Sequence, residues 1–310
     1  MEAIIPQTSE KSLRDMLPVI VQRIGDTPLI PLDSPNPDVS LFAKAEWMNP
    51  GGSVKDRAAR SIILEALNSN ELQGKELLDA SSGNTAIAYA MISSAMKIPL
   101  TICIPENASR ERIQMLRAYG ANLVLTDRME GTDGAIEVAR ELATDSKYYY
   151  ADQYNNDANW LAHYRTTGVE IIDQTAGQIT HFVSGLGTSG TFMGTSRRLK
   201  EEIPDVKVIS FQPDSPFHGI EGLKHMETAI TPGIYDQNLA DRNIVVNTKR
   251  AIESTVELTR TQGLFVGVSS GAAYTAAIEL AHELESGVIV TIFPDRGERY
   301  LSERFWGSNS

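Results

Sequence analysis

The sequence has almost no cysteine and no long apolar run. A single cysteine, Cys103, lies in the apolar run at residues 100–104 of a chain of 310 residues. An intrachain disulfide and a cysteine-based metal site are therefore excluded, and Cys103 is predicted to be a buried strand residue. No segment is apolar over the length of a membrane span, and the first six residues lack the basic start of a signal peptide. We therefore expect a cytoplasmic protein without a membrane partner.

Positive charge is also scarce, and the histidines do not form a metal-binding pattern. The chain has 28 lysines and arginines against 40 aspartates and glutamates, which gives a net charge of −12. Because no run of basic residues interrupts this balance, a nucleic acid partner is not expected. The five histidines show no H-E-x-x-H or comparable spacing, so no metal site is predicted. Hydrophobic residues make up 42% of the chain, which is ordinary for a compact soluble protein.

The sequence does contain a regular alternation of short β-branched runs and longer helical patterns. This alternation is typical of βαβ units that build parallel sheets. Strands are predicted at residues 39–45, 76–79, 100–104, 122–126, 179–184, 206–212, 244–247 and 288–293. Helices are predicted at residues 55–68, 84–96, 109–119, 131–142, 189–202, 249–261 and 270–284, with more helix after residue 157. We therefore predict an α/β fold in two lobes, with a cleft between the sheets. Residues 213–242, rich in Pro, Gly and Asp, are predicted to form a lid or substrate wall.

The first turn that carries a candidate reactive side chain is Asn49-Pro50-Gly51-Gly52-Ser53-Val54-Lys55, which leads directly into a predicted helix. On composition alone, a lysine followed by Asp56 and Arg57 is most often a solvated residue of the first helical turn. In a dry pocket, however, the same lysine would have the lowered pKa that Schiff-base chemistry requires. The residues of this turn leave both interpretations open.

Four further turns follow predicted strands and open helices. The turn at residues 81–85 offers hydroxyl and N–H groups that suit a carboxylate, although a simple helix cap has the same composition. The turn at residues 185–191 matches G-x-G-x-x-G, but its hydroxyls favour a terminal phosphate over a dinucleotide, for which Asp214 is a poor acidic partner. The turn at residues 267–271 matches a nucleophile elbow, yet only His282 follows Ser269, so a serine hydrolase is disfavoured. With the turn at residues 294–300, all five converge on one cleft in a doubly wound fold.

Taken in order, these segments resemble the cysteine synthase family of fold type II pyridoxal-phosphate enzymes, and most closely the B-type O-acetylserine sulfhydrylases. The resemblance runs from about Ile24 to Leu301, through residues 25–29, 49–57, 81–85, 115–121, 152–156, 180–191, 267–271 and 295–302. It implies a two-lobed fold in which each lobe is a twisted, mostly parallel sheet flanked by helices. The smaller, mobile lobe would comprise residues 48–155, and the larger lobe, which binds the cofactor phosphate, residues 1–47 plus 156–310. The resemblance also implies a homodimer.

The resemblance assigns roles to particular residues. Lys55 would form the Schiff base with pyridoxal 5'-phosphate and act as the base at the substrate Cα, and Asn84 would hydrogen-bond the cofactor's phenolic oxygen. The cofactor phosphate would be bound by Gly187, Thr188, Ser189, Gly190 and Thr191. The substrate carboxylate would be bound by Ser81, Ser82, Thr85 and Gln153. Ser269 would contact the pyridine nitrogen, and because a neutral hydroxyl makes a weaker electron sink than a carboxylate would, β-elimination and β-replacement are expected. For Asp295 two interpretations stay open, a position near the cofactor ring and a cap of the last helix, and the cap is taken as its main role.

The activity that follows from the resemblance is β-replacement on O-acetyl-L-serine. An external aldimine would lose acetate to give an aminoacrylate, and sulfide or thiosulfate would add to yield L-cysteine or S-sulfocysteine. The family's arginine-rich substrate loop is replaced here by Gly222-Leu223-Lys224-His225-Met226, in which Lys224 is the candidate substrate-binding cation. The donor therefore stays open, as do O-phosphoserine and the serine of a cystathionine β-synthase. Alternatives of another class are a nucleotide-binding oxidoreductase and a non-catalytic binding protein on the same fold.

Overall fold

The chain folds into two twisted sheets flanked by helices. The structure, a computed structural model, describes residues 17–307. The strands are β1 (Leu29–Leu32), β2 (Val39–Ala45), β3 (Glu76–Ala80), β4 (Leu100–Pro105), β5 (Asn122–Thr126), β6 (Tyr148–Tyr150), β7 (His181–Gly185), β8 (Lys207–Pro213), β9 (Arg242–Val246) and β10 (Gly287–Phe293). The helices are α1 (Val19–Gln22), α2 (Lys55–Asn68), α3 (Asn84–Met96), α4 (Arg110–Ala118), α5 (Gly131–Leu142), α6 (Asp157–Arg165), α7 (Thr167–Gln174), α8 (Gly190–Glu202), α9 (Thr248–Gln262) and α10 (Val268–Glu283). Short 3₁₀ helices lie at Glu46–Met48, Gly297–Tyr300 and Arg304–Trp306.

The strand order confirms the predicted α/β fold with two mostly parallel sheets. The larger sheet has the order β1-β2-β10-β7-β8-β9, and the smaller one the order β5-β4-β3-β6. Every pairing is parallel except β1 with β2, which is antiparallel. In both sheets the loops at the carboxyl ends of the strands therefore lead into the helices that follow, and these are the loops where the candidate residues lie.

The larger sheet is buried on both faces. In β10, Ile289 and Phe293 enter the core beneath α9 and α10, whereas Val290 and Ile292 enter the core beneath α8. This explains the continuous apolar run in β10, because a parallel strand covered on both sides has no solvent face. The helix α10 is rich in alanine and buried around most of its circumference, which lets it approach the sheet closely.

The smaller sheet is covered in the same way. Its core contains Ile62 and Ile63 of α2 on one side, and Ala135 and Ile136 of α5 on the other. Cys103 packs beside α5 and is fully buried, as its apolar neighbours predicted. This sheet is built from strands between residues 76 and 150. The proposed division into residues 48–155 and residues 1–47 plus 156–310 includes residues 1–16 and 308–310, which lie outside the described residues.

The predicted bounds agree residue for residue for α2, α3, α5, β2 and β5, and the other predicted elements differ by two residues or fewer. The strands β1 and β6 were not predicted. Residues 214–241 contain no helix or strand, in agreement with the predicted lid or wall.

Between residues 17 and 307 no helix has the length and hydropathy needed to cross a bilayer.

Candidate active site

A cavity of about 740 Å³ lies at the carboxyl ends of strands from both sheets. Its lining includes every candidate site residue predicted from the sequence except Gly190. These residues are Lys55, Ser81, Ser82, Asn84, Thr85, Gln153, Gly187, Thr188, Ser189, Thr191, Lys224 and Ser269. They come from loops that are far apart in sequence, so the fold brings together what the turn pattern could only suggest.

Lys55 begins α2 and is held in the cavity by the turn that precedes it. The Gly51 N–H donates to Asp56 Oδ2 at 2.5 Å, and the Val54 N–H donates to the Pro294 carbonyl at 2.9 Å. Burial lowers the pKa of Lys55 to about 8, against the opposing charges of Asp295 and Glu46. Lys55 is therefore a half-buried cavity residue whose ammonium loses its proton more readily than that of an exposed lysine. This disfavours the interpretation of Lys55 as a solvated residue of the first helical turn.

A buried ion network lies behind this turn and was not predicted. The Arg57 guanidinium is 2.7 Å from Glu46 Oε2 and 2.6 Å from Glu170 Oε1, and Lys44 Nζ is 2.6 Å from Glu170 Oε2. Burial alone would raise the pKa of Glu170, but the hydrogen bond and charge of Arg57 bring it down to about 2. The network ties α2, which carries Lys55, to β2 and α7. Its members are up to 126 residues apart, so no local pattern could have revealed it.

The turn at residues 81–85 is ordered by its own side chains. Ser81 Oγ accepts hydrogen bonds from the N–H groups of Gly83 and Ala86, both at 3.2 Å, so its hydroxyl hydrogen is directed elsewhere. Thr85 Oγ1 donates to Gln153 Oε1 at 2.7 Å, and Gln153 Nε2 donates to the Ala80 carbonyl at 2.9 Å. Gln153 thus holds this turn in place from the loop that follows the neighbouring strand β6.

The turn at residues 185–191 fits a phosphate group. Ser189 has a left-handed backbone, with φ of 67°, and its Oγ is buried without a hydrogen-bond partner among residues 17–307. A Cβ on Gly187 would lie 2.1 Å from the Gly222 carbonyl oxygen, so only glycine fits there. Gly190 does not line the cavity, and a Cβ on it would lie 2.0 Å from Asn159 Oδ1. The unsatisfied hydroxyl and the start of α8 give this turn the donors that a phosphate monoester needs.

The helix α6 supports this turn from behind. Asn159 Nδ2 donates to Thr188 Oγ1 at 3.1 Å, and His163 Nε2 lies 3.3 Å from Thr191 Oγ1. His163 Nδ1 lies 2.8 Å from Thr167 Oγ1. Burial, helped by the charge of Arg57, lowers the pKa of His163 to about 3, so the imidazole is neutral at physiological pH. These supporting residues were also missed by the sequence interpretation.

The interpretation of Asp295 as a helix cap is wrong. The short helix Gly297–Tyr300 has Arg296 at its N-cap, and no side chain caps it. Asp295 is fully buried instead, and its Oδ2 accepts hydrogen bonds from Asn84 Nδ2 and the Tyr300 hydroxyl, each at 2.7 Å. The signal available in the sequence was the position of Asp295 two residues after the end of the buried parallel strand β10. Arg299, which donates to Asn84 Oδ1 and to the Gly51 carbonyl, had no such signal.

The loop at residues 213–242 forms one wall of the cavity, as predicted. Lys224 Nζ lies 3.4 Å from Asp133 Oδ1 of α5 and 4.8 Å from the centre of the Tyr154 ring. Arg112 of α4 pairs with Glu221 in the same loop. Two ion pairs therefore cross from this loop to helices of the smaller sheet, and the positive charge of Lys224 is partly offset by Asp133.

Fold and site together define a class of enzyme. Two mostly parallel sheets enclose a cleft in which a lysine of lowered pKa lies with two hydroxyl-rich turns, and one of these turns has the donors that a phosphate needs. That combination suits an enzyme whose lysine holds a phosphorylated aldehyde cofactor beside an amino-acid substrate.

Comparison with known proteins gives this class a family. The family model described as "Pyridoxal-phosphate dependent enzyme" matches residues 20–295. The chain belongs to this family and, within it, to the cysteine synthases, and its cofactor is pyridoxal phosphate. This membership sets aside the oxidoreductase and non-catalytic hypotheses.

The similarity to individual cysteine synthases extends over most of the chain. A cysteine synthase of Aquifex aeolicus (strain VF5) is 53% identical over 296 residues, which cover 91% of this chain and 90% of that protein. Cysteine synthase B of Escherichia coli (strain K12) is 42% identical over 289 residues, covering 92% and 95% of the two chains. The crystal structure of cysteine synthase (OASS) from Entamoeba histolytica superposes with a TM-score of 0.89 at 32% identity, covering 100% of this chain and 95% of that one.

Proposed function

We propose that this protein makes L-cysteine from O-acetyl-L-serine and sulfide by β-replacement. The observation that carries the proposal is the position of Lys55, which is the first residue of α2, lines the cavity and has a pKa lowered to about 8. Bound pyridoxal phosphate supplies an electron sink that stabilises negative charge at the substrate Cα. The protein's own residues supply attachment, orientation and proton transfer.

Lys55 is the proposed attachment point of the cofactor and the proposed base. An amine with a pKa near 8 has a substantial neutral fraction at physiological pH, so it can act as a nucleophile and accept a proton from Cα. An exposed lysine, with a pKa of about 10.4, would be almost fully protonated. The buried surroundings of α2 therefore provide the activation that Lys55 needs.

The two hydroxyl-rich turns are the proposed anchors for substrate and cofactor. Ser81, Ser82, Thr85 and Gln153 would bind the substrate carboxylate, and the residues from Gly187 to Thr191 would bind the cofactor phosphate. The buried Ser189 hydroxyl and the helix dipole of α8 support the second assignment. Asn84 would donate to the phenolic oxygen and Ser269 to the pyridine nitrogen, where a neutral group favours loss of the β-substituent.

Sulfide is the favoured donor, with thiosulfate as the alternative. Lys224 is the lysine that the loop at residues 213–242 contributes to the cavity wall, but Asp133 lies 3.4 Å from its Nζ and offsets its charge. The thiosulfate dianion would compete with that carboxylate for Lys224, whereas sulfide, which is small and carries at most one charge near neutral pH, needs no dedicated cation. The charge of Asp133 also disfavours the dianionic O-phosphoserine relative to O-acetylserine. A cystathionine β-synthase activity would require room for a larger thiol.

We further propose a homodimeric, cytoplasmic enzyme in which residues 48–155 form the mobile lobe. The two ion pairs between the loop at residues 213–242 and the helices of the smaller sheet support a lobe that closes on the substrate. The absence of a membrane-spanning helix between residues 17 and 307 is compatible with this location.

The test is a spectrum followed by a turnover assay. Purified protein with added pyridoxal phosphate should be yellow, and Lys55→Ala should lose the visible band and all turnover. Lys249→Ala is a matched control, because Lys249 is also in the first turn of a helix but its side chain is 86% exposed. Activity is then measured with O-acetylserine, O-phosphoserine and serine, each against sulfide, thiosulfate and homocysteine. A protein that stays colourless, or a Lys55→Ala variant that keeps turnover, would overturn the proposal.

A further inference from the structure

The side-chain amide of Asn84 lies between the carboxyl group of Asp295 and the guanidinium of Arg299. Its Nδ2 donates to Asp295 Oδ2 at 2.7 Å, and its Oδ1 accepts from the Arg299 guanidinium. A hydrogen bond in which one partner is charged is roughly twice as strong as a neutral one. Both ends of the amide are therefore engaged, and the contact of Oδ1 with the Arg299 guanidinium is a charge-assisted hydrogen bond.

This pair of contacts determines which way the amide points. If the amide were rotated by half a turn, Oδ1 would face the Asp295 carboxylate and the N–H groups would face the Arg299 guanidinium. A guanidinium has only donors, so the contact with Arg299 would then be repulsive, and Arg299 selects one orientation. In the selected orientation one Nδ2 hydrogen is used by Asp295, and the amide has a second hydrogen on the same nitrogen to donate.

Asp295 and Arg299 are themselves well fixed. Asp295 is fully buried and also accepts from the Tyr300 hydroxyl at 2.7 Å, while its carbonyl accepts from the Gly267 N–H at 3.1 Å. Arg299 donates from its other terminal nitrogen to the Gly51 carbonyl, in the turn that leads to Lys55. Arg299 thus connects two loops of the cavity, the one before α2 and the one that opens α3.

We infer that Arg299, with Asp295, is a positioning residue that fixes the Asn84 amide with Nδ2 as the donor toward the cofactor's phenolic oxygen. This inference rests on the proposed function, since it takes Asn84 as the residue that contacts the cofactor. Arg299 itself touches neither cofactor nor substrate in this assignment. A purely structural role for Arg299 would act through the Gly51 carbonyl and would be independent of Asn84.

A double-mutant cycle separates these two roles. Wild type, Arg299→Met, Asn84→Ala and the double variant are prepared as apoproteins and titrated with pyridoxal phosphate, with the visible band and the apparent dissociation constant as readouts. Loss of a charge-assisted hydrogen bond corresponds to a change of about 10- to 100-fold. We expect a weakening of that size and a shift of the band to shorter wavelength in Arg299→Met. In the Asn84→Ala background, the same substitution should have little further effect.

Other outcomes overturn the inference. An unchanged Arg299→Met titration, an Asn84→Ala titration equal to wild type, or an Arg299→Met effect that is equally large without Asn84 would each contradict it. Arg304→Met is the control, since Arg304 is an exposed arginine of the same C-terminal segment. If far-ultraviolet circular dichroism shows that Arg299→Met is unfolded, Arg299→Lys is used in the same cycle, because lysine keeps the charge but lacks the two separate terminal nitrogens with which the guanidinium reaches its two acceptors. If the wild type itself binds no cofactor, the proposed function fails instead.

Discussion

Arg57 and Glu46 form an ion pair in which both side chains are inaccessible to solvent, with 2.7 Å between Arg57 Nε and Glu46 Oε2. The pair lies behind the turn that carries Lys55, and Arg57 is only two positions further along the same helix. A buried ion is tolerated because its partner is close, so removal of either partner leaves a charge in an apolar environment. The intact pair therefore adds little to the net free energy of unfolding, but it fixes the start of α2, and the loss of one partner is costly.

Replacement of Arg57 by methionine should destabilise the protein strongly. Glu46 would be left buried without its guanidinium, which costs about 3–5 kcal/mol in free energy of unfolding. The double variant Glu46→Gln with Arg57→Met should recover part of that loss. Urea unfolding of the apoprotein measures these changes. Arg250→Met is the matched control, because its pair with Glu253 is half exposed, and a loss of less than about 0.5 kcal/mol is expected. Equal losses in the buried and exposed variants would contradict this account.

Stability should fall as the pH rises through the range in which Asp79 ionises. Burial raises the pKa of Asp79 to about 7, so the folded chain holds a proton that the unfolded chain releases near pH 4. Because the folded state binds more protons, raising the pH from about 4 to above 7 favours unfolding. Asp79→Asn keeps an oxygen for the Ala80 N–H and removes this dependence.

The measurement is the free energy of urea unfolding at pH 5 and pH 8 for wild type and Asp79→Asn. The stability of the variant relative to wild type should rise by on the order of 2 kcal/mol between these two pH values. Asp56, whose pKa burial also raises to about 7, is present in both proteins and cancels in the comparison. Asp205→Asn, at an exposed position, is the control. A pH-independent difference would show that Asp79 is ionised in the folded state.

Attachment of pyridoxal phosphate to the apoprotein should have the pH dependence of a lysine with a pKa near 8. The neutral amine is the nucleophile, so the rate should rise as the pH increases towards about 8 and level off above it. An unperturbed lysine would continue to accelerate to about pH 10. Stopped-flow absorbance in the visible band measures the rate, with N-acetyl-lysine as the reference amine. A rate that still increases steeply between pH 9 and pH 10 would be the contrary result.

Removal of the Asp133 carboxylate should improve the use of anionic donors. In Asp133→Asn, Lys224 loses the partner that lies 3.4 Å from its Nζ, so its charge becomes available to thiosulfate. We expect the ratio of kcat/KM for thiosulfate to that for sulfide to rise by about 2- to 10-fold, equivalent to about 0.4–1.4 kcal/mol. Lys224→Ala should lower the same ratio. Asp145→Asn, which removes an exposed partner of Lys147, should leave it unchanged. A ratio that does not respond to either cavity variant would exclude Lys224 from donor recognition.

Much of the fold could be predicted because it is encoded in local patterns. The helices α2 and α3 begin after glycine-containing turns, and their bounds match the prediction. The two strands that were missed have weak local signals. The strand β1 contains Pro31 and lies at the sheet edge, where a missing N–H is tolerated, and β6 is only three residues long.

The candidate site divides in the same way. The sequence alone determined the turns that could bind phosphate and carboxylate, the lysine at a helix start, and their convergence, because parallel strands deliver successive loops to one edge of a sheet. Only the tertiary structure decided that burial lowers the pKa of Lys55 and that Arg57 pairs with Glu46 and Glu170. It also decided that the Asn84 amide contacts Asp295 and Arg299. These properties depend on burial and on distances of a few ångströms between residues as much as 215 positions apart, as for Asn84 and Arg299. Such distances exist only once the chain has folded, since no local pattern specifies them.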